Sequence, residues 1–132
     1  MKGKVLVQKW IERSDLTNNP NTVYVFGDNM QETGYGGQAG AMRGEPNAFG
    51  IPTKWSPGMR ESDFFTDKDL KNVSTVFDED FRQLKDHISA GRNVVFPADG
   101  LGTGLSQLPQ RAPLILDYIR QKIRDLKDFA NE

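Results

Sequence analysis

Two clusters of glycine hold the clearest chemistry in this sequence: Gly34, Gly36 and Gly37, then Gly100, Gly102 and Gly104. Each follows a short apolar run, Val23-Tyr24-Val25-Phe26 before the first and Val94-Val95-Phe96 before the second. A glycine turn leaves main-chain amides open to an anion because no Cβ stands in the way. Small residues compatible with a helix, Ala39, Ala41 and Met42, come after the first cluster. Amides at the start of a helix donate to phosphate oxygens, and the helix dipole favours the negative charge. A flexible surface loop would account for one such cluster. A second cluster in the same context favours a phosphate site.

Composition narrows the chemistry further. The chain of 132 residues reads as a single domain, 1–132, long enough to bury a core. Its 36% hydrophobic and 27% charged residues are ordinary for a globular protein. A formal net charge of -1 provides no general field for nucleic acid or membrane, so a phosphate would be held by local amide geometry. The absence of cysteine removes disulfides, thiolate catalysis and cysteine-ligated metals, and it fits a reducing cytoplasm as the expected setting. His87 is the only histidine, which argues against a zinc site of several histidines and against a Ser-His-Asp triad elsewhere in the chain. Neither a metal nor a cofactor is expected. No apolar run approaches a membrane span and no signal core opens the chain, so no membrane partner is expected either.

The elements that must carry the two clusters can be read in order. Lys4 to Lys9 predicts a first strand, Trp10 to Ser14 a short turn of helix, and Asn18-Asn19-Pro20-Asn21 a loop. Thr22 to Phe26 alternates little, as a strand buried on both faces should. A short helix from about Gly37 to Arg43 ends before Pro46. Ala48 to Lys54 predicts a third strand, placed at an edge or bulged by its glycine and proline, and Trp55 to Asp63 a surface loop. Leu70, Val73, Phe77, Phe81, Leu84 and Ile88 form the stripe of an amphipathic helix that stops near Gly91. Asn93 to Pro97 is a further buried strand, and a last helix begins at Pro109 or Pro113 with Ile115, Leu116, Ile119, Ile123 and Leu126 on its apolar face. The alternation predicts an α/β domain with a mostly parallel sheet. Both glycine loops would then leave the carboxyl ends of buried strands and face one crevice.

Gly34-x-Gly36-x-x-Ala39 matches the dinucleotide fingerprint in letters, but a long polar stretch separates Gly27 from Gly34 where that fingerprint turns tightly. Neither loop contains the lysine of a Walker-type phosphate loop. A different likeness extends over about Val5 to Ile119. Asp15-Leu16-Thr17, a strand ending near Asn29, and Gly36-Gly37-x-x-Gly40-Ala41 resemble the first half of a macrodomain. Phe96-Pro97-x-x-Gly100-x-Gly102-Thr103-Gly104-Leu105-x-x-Leu108 is similar to that family's second ligand loop. Ile51-Pro52-Thr53-Lys54 stands where the terminal ADP-ribose glycohydrolases, together with the antitoxins of DNA-ADP-ribosylating toxins, carry a strand ending in Thr-Lys.

This resemblance implies a macrodomain-like three-layer α/β/α fold with a mixed, mostly parallel central sheet. It implies ADP-ribose, or an ADP-ribosylated macromolecule, as the partner, with nucleic acid involved only as the modified substrate. Asp15 would accept from the adenine amino group beside Leu16, although the same aspartate could merely cap a turn. Asn29 would meet the distal ribose and Asp28 would orient the loop, or the two would exchange roles. Gly34, Tyr35, Gly36, Gly37 and Gln38 would line one side of the diphosphate. Gly100, Leu101, Gly102, Thr103, Gly104 and Leu105 would line the other, with a hydroxyl from Thr103. Tyr35, Phe49 and Trp55 are the candidates for stacking; Phe49 is expected to pack in the core, Tyr35, inside a glycine loop, is the preferred ligand contact, and a solvated helical position is expected for His87.

In the glycohydrolase branch a lysine attacks the anomeric carbon and an aspartate of the second loop assists, which implies a catalytic role for Lys54, with Asp99 nearby in sequence as the candidate substitute for the aspartate. Ser106 stands at the usual aspartate position and Ala39 at the aspartate of the other hydrolase branch. Three readings follow: a binder of ADP-ribose or a related cyclic nucleotide signal, a hydrolase acting through Lys54, and an interaction protein with no small ligand. The first is preferred, because the loops are intact and the acid is missing. Gly102→Val is expected to weaken binding by obstructing backbone donation to the diphosphate.

Overall fold

The computed structural model describes every residue from Met1 to Glu132. Four strands, β1 (Val5–Gln8), β2 (Val23–Asp28), β3 (Ala48–Pro52) and β4 (Val94–Pro97), form one sheet in the order β1-β4-β2-β3. All three pairings are parallel, with Val7 opposite Phe96, Val23 opposite Val94 and Val25 opposite Phe49. Antiparallel pairing is confined to a single bridge between Lys54 and Phe64. Pro52 falls on an edge strand, where the missing amide costs no ladder bond.

Helices cover both faces of the sheet, so the architecture is three-layered α/β/α. Successive strand residues point to opposite faces, and the burial follows that alternation. Tyr24, Phe26 and Val95 pack with Ile11, with Leu16 of α1 (Arg13–Asn18) and with Ala39 and Met42 of α2 (Ala39–Met42). Val23, Val25, Val94 and Phe96 pack against the stripe of α3 (Leu70–Ser89), namely Val73, Phe77, Phe81, Leu84 and Ile88. The same core takes Leu108 of α4 (Leu108–Arg111) and Ile115, Leu116, Ile119 and Leu126 of α5 (Pro113–Ala130). Each fully buried Phe, Leu or Ile here contributes roughly 1.5–3 kcal/mol relative to exposure. No helix is long and apolar enough to cross a membrane.

Two local differences from the sequence reading have clear causes. The expected turn at Trp10 to Ser14 is a helix that starts at Arg13, because the Glu12 amide donates to Asp15 Oδ2 (2.9 Å) in a capping box. That helix turns the link from β1 to β2 into a parallel crossover. The helix after the first glycine cluster is only one turn long, so its dipole adds little to an anion site and the loop amides themselves must carry it.

The topology also locates the crevice. β4 and β2 are neighbours, but β2 leads toward α2 on one face and β4 leads toward α4 and α5 on the other. Ligands of parallel sheets sit at such a divergence. Every buried polar residue lies near it: Asp28, Asn29, Thr53, Lys54 and Asp63. Burying so many polar groups at one edge weakens a fold unless each is paired.

Candidate functional site

A cavity of about 190 Å³ opens at the carboxyl edge of the sheet. Gly36 and Gly37 line it from the loop after β2, and Gly100, Gly102 and Gly104 from the loop after β4. Lys9 and Trp10, just beyond β1, form a third side. A smaller cavity of about 80 Å³ continues toward β3 and adds Asp28, Asn29, Arg43 and Lys54. The two share Gly27, Gly36, Leu105 and Ser106, so they make one groove. The glycine clusters, more than sixty positions apart in the chain, meet across it.

The groove is unusual in its backbone. The amides of residues 34–38 and 101–106 make no hydrogen bond within the chain, whereas those of Met30, Gln31, Glu32 and Gly40 nearby are all paired. Unpaired amide donors on both lips of a groove are what an anion with several oxygens requires.

The first loop is held by long-range ties. Arg43 donates through Nε to the Gly34 carbonyl (2.7 Å) and through Nη2 to the Thr33 carbonyl (3.2 Å). Its guanidinium also forks onto the Asp28 carboxylate, with Nη1 at 3.2 Å from Oδ2 and Nη2 closing on Oδ1. Asp28 in turn accepts from the Asn29 amide (2.8 Å), and Asn29 Nδ2 donates to the Thr33 carbonyl (2.7 Å). Gln38 grips the chain after β1, accepting from the Ile11 amide (2.9 Å) and donating to its carbonyl (2.8 Å).

The second loop closes on itself. The Gly100 amide donates to the Pro97 carbonyl and the Leu108 amide to the Gly102 carbonyl, at 3.0 and 2.9 Å. The Thr103 hydroxyl is spent on the Asp99 carbonyl (2.7 Å) instead of facing a ligand. Ser106 Oγ meets Thr53 Oγ1 at 2.5 Å, and Thr53 Oγ1 donates to the Asp28 carbonyl (3.1 Å), which links the second loop to β3 and β2.

Lys54 is buried, with 5% of its surface exposed, rather than a solvated charge. Its Nζ donates to the Gly58 carbonyl (2.5 Å) and lies 4.4 Å from the centre of the Phe64 ring. The Arg111 guanidinium lies 3.8 Å from the same ring. Burial lowers the Lys54 pKa, Asp63 opposes that shift, and Arg111 adds to it. Asp63 is itself held below the usual carboxylate range by the Ser56 hydroxyl and the Arg60 amide.

Several expected contacts are not assembled. Asp99 is exposed and lines the larger cavity, Lys54 lines the smaller one, and no cavity holds both. No ion pair joins Lys54 and Asp99, and the Lys54 amine is held by the Gly58 carbonyl instead. Asp15 Oδ2 is taken by Gln8 Nε2 (2.9 Å) and the Glu12 amide. Leu16 and Leu101 are core side chains, and Leu101 lines neither cavity. Asp15 and Leu16 line neither cavity.

The stacking candidates also fall elsewhere. Tyr35 is exposed and lines neither cavity. Phe49 packs at the core margin with its ring edge on His87 (6.4 Å), and Trp55 packs on Phe65 (5.0 Å). His87 is half-buried, not solvated, and its Nδ1 accepts from Arg92 Nε (2.9 Å). The aromatic residue that does line the groove is Trp10, 57% exposed. It directly follows β1, so the strand-end rule that singled out the glycine loops would have found it too. Arg43 gave no local signal, since its partner Asp28 is a strand residue 15 positions earlier.

Residues 6–122 match the model of a family of unknown function, DUF7831, and the chain belongs to that family. No curated protein and no solved structure matches it.

Proposed function

We propose that this member of the DUF7831 family binds ADP-ribose, or a related ADP-ribose-derived nucleotide, in the groove between its two glycine loops. The observation that carries the reading is the pair of unpaired amide runs on opposite lips of one groove at the divergence of β2 and β4. A diphosphate offers acceptors to both lips at once. The exposed indole of Trp10 offers a stacking surface at the β1 end. At the β3 end the smaller cavity, with Asn29 and Lys54, is left for the distal ribose. The macrodomain resemblance supports ADP-ribose over other diphosphates, and the same groove serves an ADP-ribosylated macromolecule.

Titration calorimetry with ADP-ribose tests this directly. Saturable heat is expected, and Trp10→Ala should weaken binding by roughly 1–3 kcal/mol, the usual worth of a base stacked on an aromatic ring. An absence of heat at high ligand concentration would leave a protein without a small ligand and end the proposal.

A second reading, a hydrolase that removes ADP-ribose from protein or nucleic acid, is favoured by one observation: the buried Lys54 amine with its lowered pKa. Such an amine is neutral, and so nucleophilic, at lower pH than an exposed lysine. The carboxylate beside it in the smaller cavity, Asp28, is committed to Arg43, so no free acid stands ready for the leaving group. Release of sugar from mono-ADP-ribosylated DNA or protein should therefore be slow or absent. If it occurs through Lys54, the rate rises with pH through a pKa below the ordinary lysine value and vanishes in Lys54→Ala. Equal release by wild type and Lys54→Ala would remove the hydrolase reading while leaving binding intact.

A further inference from the structure

A separate cavity of about 230 Å³ lies between the outer edge of β3 and α3, lined among others by Met30, Glu32, Gly50, Pro52, Val76 and Asp80. We infer that this cavity receives a planar cation of the guanidinium class, with Asp80 as its counter-charge. The cavity shares Asp28 and Asn29 with the nucleotide groove, but Asp80 lines only this one, so the inference does not depend on the nucleotide reading.

The first support is an uncompensated acid. Asp80 Oδ2 is sealed from solvent and has no hydrogen-bond partner. No lysine or arginine pairs with Asp80 or with Glu32. Two acids raise the negative potential at Asp80, Glu79 on its own helix and Glu32 on the loop after β2; Glu79 is paired with Arg82, whereas Glu32 has no ion-pair partner. Asp28, also in the cavity wall, already has Arg43. Burial, then Glu79 and Glu32, raises the Asp80 pKa to about 7. A buried carboxylate in that position is completed by a proton or by a cation from outside.

The second support is the backbone of β3. The Asn47 carbonyl accepts from Tyr24 (2.9 Å) and the Thr53 amide donates to Asp28 (2.8 Å), so the odd-numbered residues of this strand turn toward β2. Parallel pairing alternates, which turns the carbonyls of Gly50 and Pro52 outward to the cavity. The Gly50 and Pro52 carbonyls and Asp80 therefore offer acceptors to the space, beside the single outward amide of Gly50, and the side chains of Met30 and Val76 give it apolar walls. A guanidinium suits both, being flat, rich in donors and weakly hydrated, whereas a compact ammonium would be stripped of water it holds strongly. A metal ion is a poor fit, since no three acidic or imidazole groups gather as ligands.

Methylguanidinium is the probe, followed by amide and carboxyl NMR signals of the intact protein. Saturable shifts are expected at Met30, Gly50 and Val76, together with a fall in the Asp80 pKa. Affinity should strengthen as pH rises through about 7, because only the deprotonated acid pairs with the cation. Asp80→Asn should weaken binding roughly tenfold, about the worth of one charge-assisted hydrogen bond, and should leave ADP-ribose affinity unchanged. Methylammonium should bind more weakly than methylguanidinium. Shifts that fail to saturate, an affinity flat across that pH range, or equal binding of the two cations would each overturn the inference.

Discussion

Gly102→Val and Gly104→Val, two substitutions in one loop, should fail in different assays. Gly102 has φ +77, a left-handed conformation, and a Cβ there would stand 2.6 Å from Leu108 Cγ. Leu108 is fully buried and cannot yield. Backbone strain and overpacking together should cost roughly 2–5 kcal/mol, and thermal melting should show it before any ligand is added. Gly104 has no positive φ, and a Cβ on it would meet nothing within 4 Å, so Gly104→Val should melt close to wild type. It nevertheless places a branched side chain among the unpaired amides that line the groove. ADP-ribose affinity should drop roughly tenfold to a hundredfold, as when a charged group loses one or two hydrogen bonds. Gly102 lines the groove too, but its substitution is confounded by Leu108, so Gly104 is the position that isolates the obstruction. A Gly104→Val protein that binds like wild type would show that the second lip does not cradle the diphosphate.

Arg43→Ala should be among the most destabilising single changes in the chain. The Arg43 and Asp28 side chains are only 15% and 6% exposed. Removing the cation leaves Asp28 charged and buried, frees the Gly34 carbonyl, and leaves the Thr33 carbonyl with Asn29 Nδ2 alone. Breaking a pair of this kind costs roughly 3–5 kcal/mol, equivalent to a fall on the order of 10–20 °C in the melting midpoint. Asp28→Asn in the same chain should recover much of that loss by removing the stranded charge. It should not restore ligand affinity, because the first loop would still lack its tie. A melting curve within a degree or two of wild type for Arg43→Ala would mean that the pair contributes nothing to stability.

The parts of the fold that repeat locally were readable without coordinates. The Leu70 to Ile88 stripe marked α3 because every third or fourth residue of a helix meets the core. The two glycine loops were visible because each follows an apolar run that could only be a buried strand. What escaped depended on partners distant in sequence. α1 rests on the reciprocal bonding of Glu12 and Asp15; Asp15 read as an adenine contact or a turn cap, and Glu12 as an ordinary polar residue. Whether Asp99 could serve Lys54 is decided by how the Gly100 turn leaves β4, and no spacing in the chain encodes that. The burial of Lys54 was not legible, because its cover, Phe64 and the Gly58 carbonyl, comes from a segment with little pattern of its own.

β4 lies between β1 and β2 although it is the last strand in the chain. A nascent polypeptide halted before Val94 would have β1 with no neighbour to zip onto, and the second lip of the groove would not yet exist. The pocket therefore forms only once the second glycine loop has been synthesised, and ribosome-bound fragments halted earlier should be blind to nucleotide. Parallel sheets completed this late assemble slowly, since their pairings join distant segments.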